Sequence, residues 1–395
     1  MKKIDFINKM NKLGRDSEPF IFIIDFECQN AIIEPLDNID KEIIKYNFEG
    51  KSNEGEIKIP ENREGYSEGY SVSKSESSQH ISQPKHINRK VHSEEVSEGS
   101  QIIPYPKREN EDKYKAVISS KEAIAKVSVL FEKFPLPYHE YKKSFDIVME
   151  NIYEGNSYLC NLTAKTPIET NLILDDIFLF SNAKYKIKYK DEFVCFSPET
   201  FIKIIDGNIY SYPMKGTIDA DLPNAKEIIL NDEKEKAEHN TIVDLIRNDL
   251  SIVSKNVEVT KFRYIDKIKT NNKNLLQVSS EIKGELPNDY KNKIGEIIFS
   301  LLPAGSITGA PKKKTVEIIK QAETYKRNFY TGIAGIFDGK NLDSCVMIRF
   351  IESEEGKLYF KSGGGITYQS DPESEFKELI DKVYLPIYQK EKQNE

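Results

Sequence analysis

Cysteine is scarce. Cys28, Cys160, Cys195 and Cys345 stand far apart, with no Cys-x-x-Cys pair and no histidine at ligand spacing. That pattern excludes a disulfide framework and a cysteine-built zinc site, and reads as ordinary thiols of a reducing compartment. Basic charge is also in deficit: the formal net charge is −7, which argues against binding a phosphate backbone. No apolar run approaches the roughly eighteen residues of a membrane helix, and residues 1–12 lack the apolar stretch of a signal peptide. A cytoplasmic location is therefore expected. The Walker spacing, a G-x-S-x-G elbow and a G-x-G-x-x-G turn after a strand are all missing. Their absence sets aside the common nucleotide, hydrolase and dinucleotide readings.

What is present is length: 395 residues at 38% hydrophobic, enough for a large core or two modest ones. Residues 20–26 are a buried-strand candidate. Between about 50 and 112 Ser, Glu, Gly, Lys and Asn dominate, and residues 64–71 repeat a Glu-Gly-Tyr-Ser unit. Such a segment cannot offset its chain entropy by burial, so a disordered insertion is expected, with His80, His86 and His92 in a solvated linker. Apolar periodicity then predicts a helix over 138–153 and strands near 157–163, 184–189, 193–196, 201–205 and 208–212, with Asp206-Gly207-Asn208 as a hairpin turn. A long helix is expected over 225–247, strands at 257–264 and 275–282, and helices near 290–301 and 311–324. Strands at 331–337, 344–352 and 357–361 and a helix over 372–388 complete the pattern. Grouped rather than alternating elements favour an α+β fold with antiparallel sheets.

Several constellations carry chemistry. Glu199 precedes Pro213-Met214-Lys215-Gly216-Thr217 by a β-rich run. A lysine held between a proline and a glycine is aimed by a stiff turn, and in apolar surroundings it would shed its proton and become a nucleophile. Glu235 and Glu238 share one helical face, as do Glu375 and Glu378 on the last helix. Two such pairs meeting would need a cation, and oxygen donors suit Mg²⁺; on wet faces the same glutamates would instead pair with Lys234, Lys236 and Lys377. Gly363-Gly364-Gly365 follows a strand and is either an anion-binding nest or a flexible turn. Arg349 is a carboxylate fork or an edge-strand surface pair. The run Pro303 to Lys312 is a glycine-bearing loop opening a helix, where free N–H groups favour an anion.

Taken in order, several runs resemble one family. They are Ser197-Pro198-Glu199, Pro213-Met214-Lys215-Gly216-Thr217, Ala237-Glu238-His239, Ile242-Val243-Asp244-Leu245-Ile246-Arg247-Asn248-Asp249-Leu250, Pro303-Ala304-Gly305-Ser306-Ile307-Thr308-Gly309-Ala310-Pro311-Lys312, Ile348-Arg349 and Gly363-Gly364-Gly365-Ile366. The family is the chorismate-binding enzymes, covering about 138–388 and, weakly, the first fifty residues. It includes anthranilate synthase component I, isochorismate and salicylate synthases, and aminodeoxychorismate synthase component I. The resemblance implies an α+β fold of two orthogonally packed antiparallel sheets with outer helices. It also implies that 1–49 belongs to the core and that 113–390 is the chorismate-binding domain, with the 50–112 insertion unusual for the family.

The resemblance further implies Mg²⁺ on the ring carboxylate of chorismate, with Glu238 and Glu378 as nearer ligands and Glu235 and Glu375 acting through water. It places Arg349, the backbone of Gly363, Gly364 and Gly365, and Tyr330 at the enolpyruvyl carboxylate, and Thr308 in the ring pocket. Lys215 discriminates within the family, since anthranilate synthases resemble Pro-x-Ala-Gly-Thr at this turn. The implied branch is aminodeoxychorismate synthase component I, with Lys215 as covalent nucleophile, Glu199 as acid/base and ammonia from a separate glutamine amidotransferase subunit. The alternatives are anthranilate synthase component I, an isochorismate or salicylate synthase, and a non-catalytic binding subunit. With no lyase segment after the last helix, 4-aminobenzoate itself would need another enzyme. One departure stands out: where family members often carry a histidine before Val278-Ser279, this chain has Gln277.

Overall fold

A computed structural model describes residues 2–54, 129–269 and 274–387. The 50–112 insertion, with its repeat and three histidines, lies outside the described residues except for positions 50–54. Helix α1 (Lys3–Arg15) buries Phe6, Met10 and Leu13, an i, i+4, i+7 stripe. Strand β1 (Phe20–Ile24) is apolar and buried at every position. It is followed by β2 (Ala31–Pro35), β3 (Ile44–Phe48) and β4 (Lys51–Ser52). Next come β5 (Phe131–Lys133), α2 (Tyr138–Tyr153), β6 (Leu159–Thr170), α3 (Leu174–Phe180), β7 (Tyr185–Tyr189) and β8 (Phe193–Ser197). Helix α2 matches its predicted bounds because Tyr141, Phe145, Val148, Met149 and Ile152 form one buried stripe. Strands β9 (Thr200–Ile205) and β10 (Asn208–Ser211) close through Asp206 and Gly207, whose φ of 48° and 81° are those of a tight hairpin turn.

The second half contains β11 (Met214–Asp219), α4 (Ala225–Asn231), α5 (Glu233–Val253), β12 (Lys255–Lys269) and β13 (Asn274–Glu285). It continues with α6 (Ile294–Leu301), β14 (Gly309–Ala310), α7 (Lys312–Ala322), β15 (Ile333–Phe337), β16 (Leu342–Val346), β17 (Phe350–Glu354), β18 (Lys357–Ile366) and α8 (Pro372–Asp381). The helix predicted over 225–247 is two helices. Asp232 is extended (φ −68°, ψ 112°), and its carboxylate caps α5 by accepting from the Glu235 amide at 2.9 Å. The strand predicted over 344–352 is likewise two, broken at Arg349.

Among the described residues all strand pairs are antiparallel. One sheet runs β11-β13-β10-β9-β16-β15-β1-β2, with β12 also on β13. The other runs β14-β6-β18-β17-β8-β7-β3-β4, with β5 also on β6. With helices added this is an α+β fold. Strand β1 pairs with β15, so the N-terminal segment completes a sheet otherwise built from distant sequence. Among the described residues no helix is long and apolar enough to cross a membrane.

Candidate active site

A cavity of about 200 Å³ opens between the two sheets. Its walls include Glu199, Lys215, Thr308, Tyr330, Arg349, Gly363, Gly364 and Gly365, residues that are distant in sequence. Asn161, Ser306, Lys361 and Lys382 join them, and Ile242 and Ile246 of α5 give an apolar side.

Lys215 is aimed differently from the predicted turn. It lies within β11, at a bulge between the Met214–Ser279 and Thr217–Gln277 pairs, so Lys215 and Gly216 together oppose one residue of β13. Gly216 takes φ 85°, and the bulge turns the lysine off the ladder. The surroundings are not apolar. Lys215 Nζ sits 2.5 Å from Glu238 Oε2. Burial alone would lower its pKa, but Glu238, Glu235 and Glu378 outweigh burial and hold the amine charged, above its ordinary value. The expectation of an easily deprotonated lysine is corrected by this acidic shell.

The two glutamate pairs do face one region. A Cβ on Gly216 would lie 3.2 Å from Glu235 Oε2, and one on Gly364 would lie 3.2 Å from Glu375 Oε2 and 4.0 Å from Glu378 Oε1. Burial raises Glu235, with Glu238 adding repulsion. Burial also raises Glu375, which accepts from Ser370 Oγ at 2.8 Å. Partial burial pushes Glu378 up, yet Lys382, Lys215 and Lys234 hold it below its ordinary value. Oxygen donors that repel one another suit a hard divalent cation. Among the described residues, however, no three acidic, histidine or cysteine groups come close enough to hold one ion, and the Lys215 ammonium supplies the countercharge.

The cavity wall also carries the cations Arg349 and Lys382, while the four glutamates lie outside its lining. Arg349 sits at the break between β16 and β17 with φ 55°, and its Nε is buried without a hydrogen-bond partner. An unpaired buried guanidinium N–H on a cavity wall is an unmet donor for an anion. Lys382, at the end of α8, donates to the Gly363 carbonyl at 2.8 Å and pairs with Glu378 Oε1 at 2.7 Å. Burial lowers its pKa despite Glu378. The glycine triplet is not a turn or a curled nest. It is part of β18, with Gly363, Gly364 and Gly365 opposite Thr163, Leu162 and Asn161 of β6. Gly363 is required sterically: a Cβ there would lie 2.5 Å from the Leu162 carbonyl oxygen.

On the same cavity wall, Glu199 accepts from Ser306 Oγ at 2.5 Å. Burial raises its pKa against the pull of Ser306, Arg349 and Lys382. Thr308 is fully buried and donates to the Ala304 carbonyl at 2.7 Å, leaving its oxygen as an acceptor. Tyr330 is buried, and its phenol is pushed well up by burial. Sequence spacing did not single out Lys382, Lys361, Asn161 or Ser306. Asn161 Oδ1 is a second buried polar atom without a partner. Gln277 leaves no histidine at its own position, but His239 of α5 reaches the same strand, with Nε2 2.7 Å from Ser280 Oγ. Burial, with Arg263 adding to it, pushes His239 down to about 4 against a hydrogen bond with the Lys215 backbone, so this imidazole is neutral.

The family model for chorismate binding enzyme matches residues 1–387. The chain is a chorismate-binding enzyme. An uncharacterized PabA-like protein of Haemophilus influenzae is 44% identical over 382 residues, spanning 97% of this chain and 96% of the relative. Aminodeoxychorismate synthase component 1 of Bacillus subtilis is 36% identical over 202 residues, 48% of this chain and 42% of that protein. Among solved structures, anthranilate synthase component I from Streptococcus pneumoniae superposes with a TM-score of 0.55 at 25% identity, over 65% of this chain and 59% of the other. The chain thus shares both family and fold with the chorismate-binding enzymes.

Proposed function

We propose that this chorismate-binding enzyme is an aminodeoxychorismate synthase component 1, converting chorismate and ammonia into 4-amino-4-deoxychorismate and water. The observation that carries this reading is an amine, Lys215, on the wall of the same cavity as the acid Glu199 and the Arg349 fork. Similarity to the Bacillus subtilis synthase supports it. All four cysteines are buried, and burial pushes Cys28 up to about 11 and Cys160 up to about 12. Such thiols do not attack glutamine, so ammonia is proposed to come from a separate glutamine amidotransferase.

The residues divide the work as follows. Arg349 and Lys382 meet the substrate's enolpyruvyl carboxylate, while Thr308 and Tyr330 line its ring. Lys215 first passes its proton to Glu238, the acceptor 2.5 Å away. The free amine then bonds to C2 of the ring, the two ring double bonds each shift one place (to C1=C6 and C4=C5), and the C4–O bond breaks as Glu199 protonates the departing hydroxyl to water. Ammonia adds at C4, both double bonds return to C5=C6 and C1=C2, and the C2–N bond breaks to release Lys215 as an amine. Glu199 takes the proton shed by the new ammonium. Glu235, Glu238, Glu375 and Glu378 stand too far apart here to hold one ion; a divalent cation that drew them together in place of the Lys215 ammonium would draw charge from the ring carboxylate.

Product identification tests the reading: chorismate, Mg²⁺ and an ammonium salt are incubated with the enzyme and resolved by mass-detected chromatography. 4-Amino-4-deoxychorismate is the expected product. Anthranilate, or isochorismate and salicylate, would move the protein to another branch, and no turnover with the amidotransferase supplied would leave only a binding role. The metal assignment is tested by calorimetric Mg²⁺ titration without substrate. Glu235→Gln, an outer carboxylate, is expected to weaken binding about 10–100-fold, with a larger loss in Glu238→Gln. Unchanged affinity in Glu238→Gln would remove these residues from any metal site.

A further inference from the structure

The loop between α6 and α7 is pinned at almost every residue but one. Gly305 packs so closely on α5 that a Cβ would lie 2.9 Å from Leu245 Cδ2 and 3.1 Å from Asp249 Oδ2. The Ile307 carbonyl accepts from Arg327 Nη1 at 3.0 Å, and the Thr308 carbonyl accepts from the Asn161 amide at 2.8 Å. Gly309 pairs with Cys160. Ser306, in the middle, turns its hydroxyl into the cavity and onto Glu199.

Two ion pairs hold this loop from opposite sides. Arg327 meets Glu323 at two points, 2.6 Å and 2.9 Å, with both side chains only 2% exposed. Its remaining donors go to the Ile307 carbonyl, the Thr331 hydroxyl at 3.3 Å and, at 2.7 Å, the Asn161 carbonyl. On the other side Lys312 pairs with Asp249 at 2.7 Å and donates to the Leu301 carbonyl at 2.8 Å. Geometry fixed this tightly around one polar side chain is what a group needs to be held in reach of its partner.

We infer that Ser306 is the positioning residue of Glu199, and that the Arg327–Glu323 and Lys312–Asp249 pairs fix the loop that presents it. The inference rests on the acid/base role proposed for Glu199. A hydroxyl is suited to that task because it rotates. It donates to the carboxylate, and it accepts from the carboxylic acid, so it accompanies Glu199 through both protonation states. The charged and titratable groups that also face this carboxyl are Arg349 from the strand break, Lys382 from the end of α8 and Cys345 from β16. The hydrogen bond given to it is Ser306's.

The test is an infrared titration of the Glu199 carboxyl stretch, assigned by its loss in Glu199→Gln, run beside steady-state kinetics. Ser306 stabilises the charged carboxylate, so Ser306→Ala is expected to move the titration to higher pH. It is also expected to lower kcat about tenfold or more, the scale of one hydrogen bond to a charged group, with KM for chorismate within about twofold. Ser306→Thr keeps the hydroxyl and is expected to restore both. Arg327→Lys, or Lys312→Gln where that variant does not fold, is expected to shift the titration in the same direction and to add little to Ser306→Ala in the double variant. An unmoved titration in Ser306→Ala overturns the Ser306 role, and full additivity overturns the clamp. The infrared readout needs no turnover, so a wild-type enzyme making a different product would refute the proposed function while leaving the Ser306 result to stand or fall separately.

Discussion

Lys215→Ala is expected to abolish 4-amino-4-deoxychorismate formation, lowering kcat by about 10⁴-fold or more, the scale seen when a nucleophile is removed. Two roles could give such a loss, and they separate experimentally. If Lys215 acts only as a countercharge to the four glutamates, Lys215→Arg keeps the positive charge and should retain much of the activity. If it forms the C2–N bond, arginine is as inactive as alanine, because a guanidinium does not deprotonate. Intact-protein mass after mixing wild type with chorismate in the absence of ammonia gives the direct measurement. A covalent adduct equal to chorismate less one water is expected in wild type and in neither variant. An active Lys215→Arg enzyme with no adduct would reduce Lys215 to electrostatics.

The acidic shell makes this prediction sharper. A lysine 2.5 Å from Glu238 begins the cycle charged, so something must take its proton before attack. Glu238→Gln removes that acceptor, and its loss of activity should therefore include a slower adduct-forming step in the same mass experiment. An unchanged rate of adduct formation in Glu238→Gln would place the proton acceptor elsewhere.

This shell shows where one-dimensional pattern stops. The stripe of α2, the all-apolar β1 and the Asp206-Gly207 hairpin were legible because each is a local rule: helical periodicity, continuous burial, a turn needing positive φ. The bulge at Lys215 was not, because it arises from register against β13, sixty-odd residues downstream. The glycine triplet likewise reads as a turn until β6 is laid beside it and the Leu162 carbonyl fills the space of a Cβ. Spacing did not mark Lys382 at all, and only the fold brings it onto the Gly363 carbonyl. His239 fell inside a quoted motif yet gave no sign that it would reach Ser280. Glu199, Lys215, Thr308, Tyr330, Arg349 and the glycines were named from motifs, and the cavity collects all of them.

Arg349 gives the second large effect. Its guanidinium Nε is buried and unpaired, and its backbone is left-handed at φ 55°. A non-glycine residue there costs about 1–2 kcal/mol, and the surrounding contacts must hold it. The Arg349 carbonyl accepts from the Phe196 amide at 3.1 Å, and its guanidinium lies 5.7 Å from the Tyr384 ring. Strain kept in an arginine that lines the cavity supports the proposal that Arg349 is retained for binding. Removing one partner of a buried charged contact costs roughly 2–5 kcal/mol, so Arg349→Met is expected to raise KM for chorismate about 30-fold to several thousandfold, with a smaller change in kcat. Arg349→Gly should lose binding equally while relieving the backbone, so its melting temperature is expected not to fall below wild type. Steady-state kinetics and thermal melts of the two variants check both halves. A KM unchanged in Arg349→Met would mean the substrate carboxylate is held elsewhere, with Lys382 the nearest remaining cation on that wall.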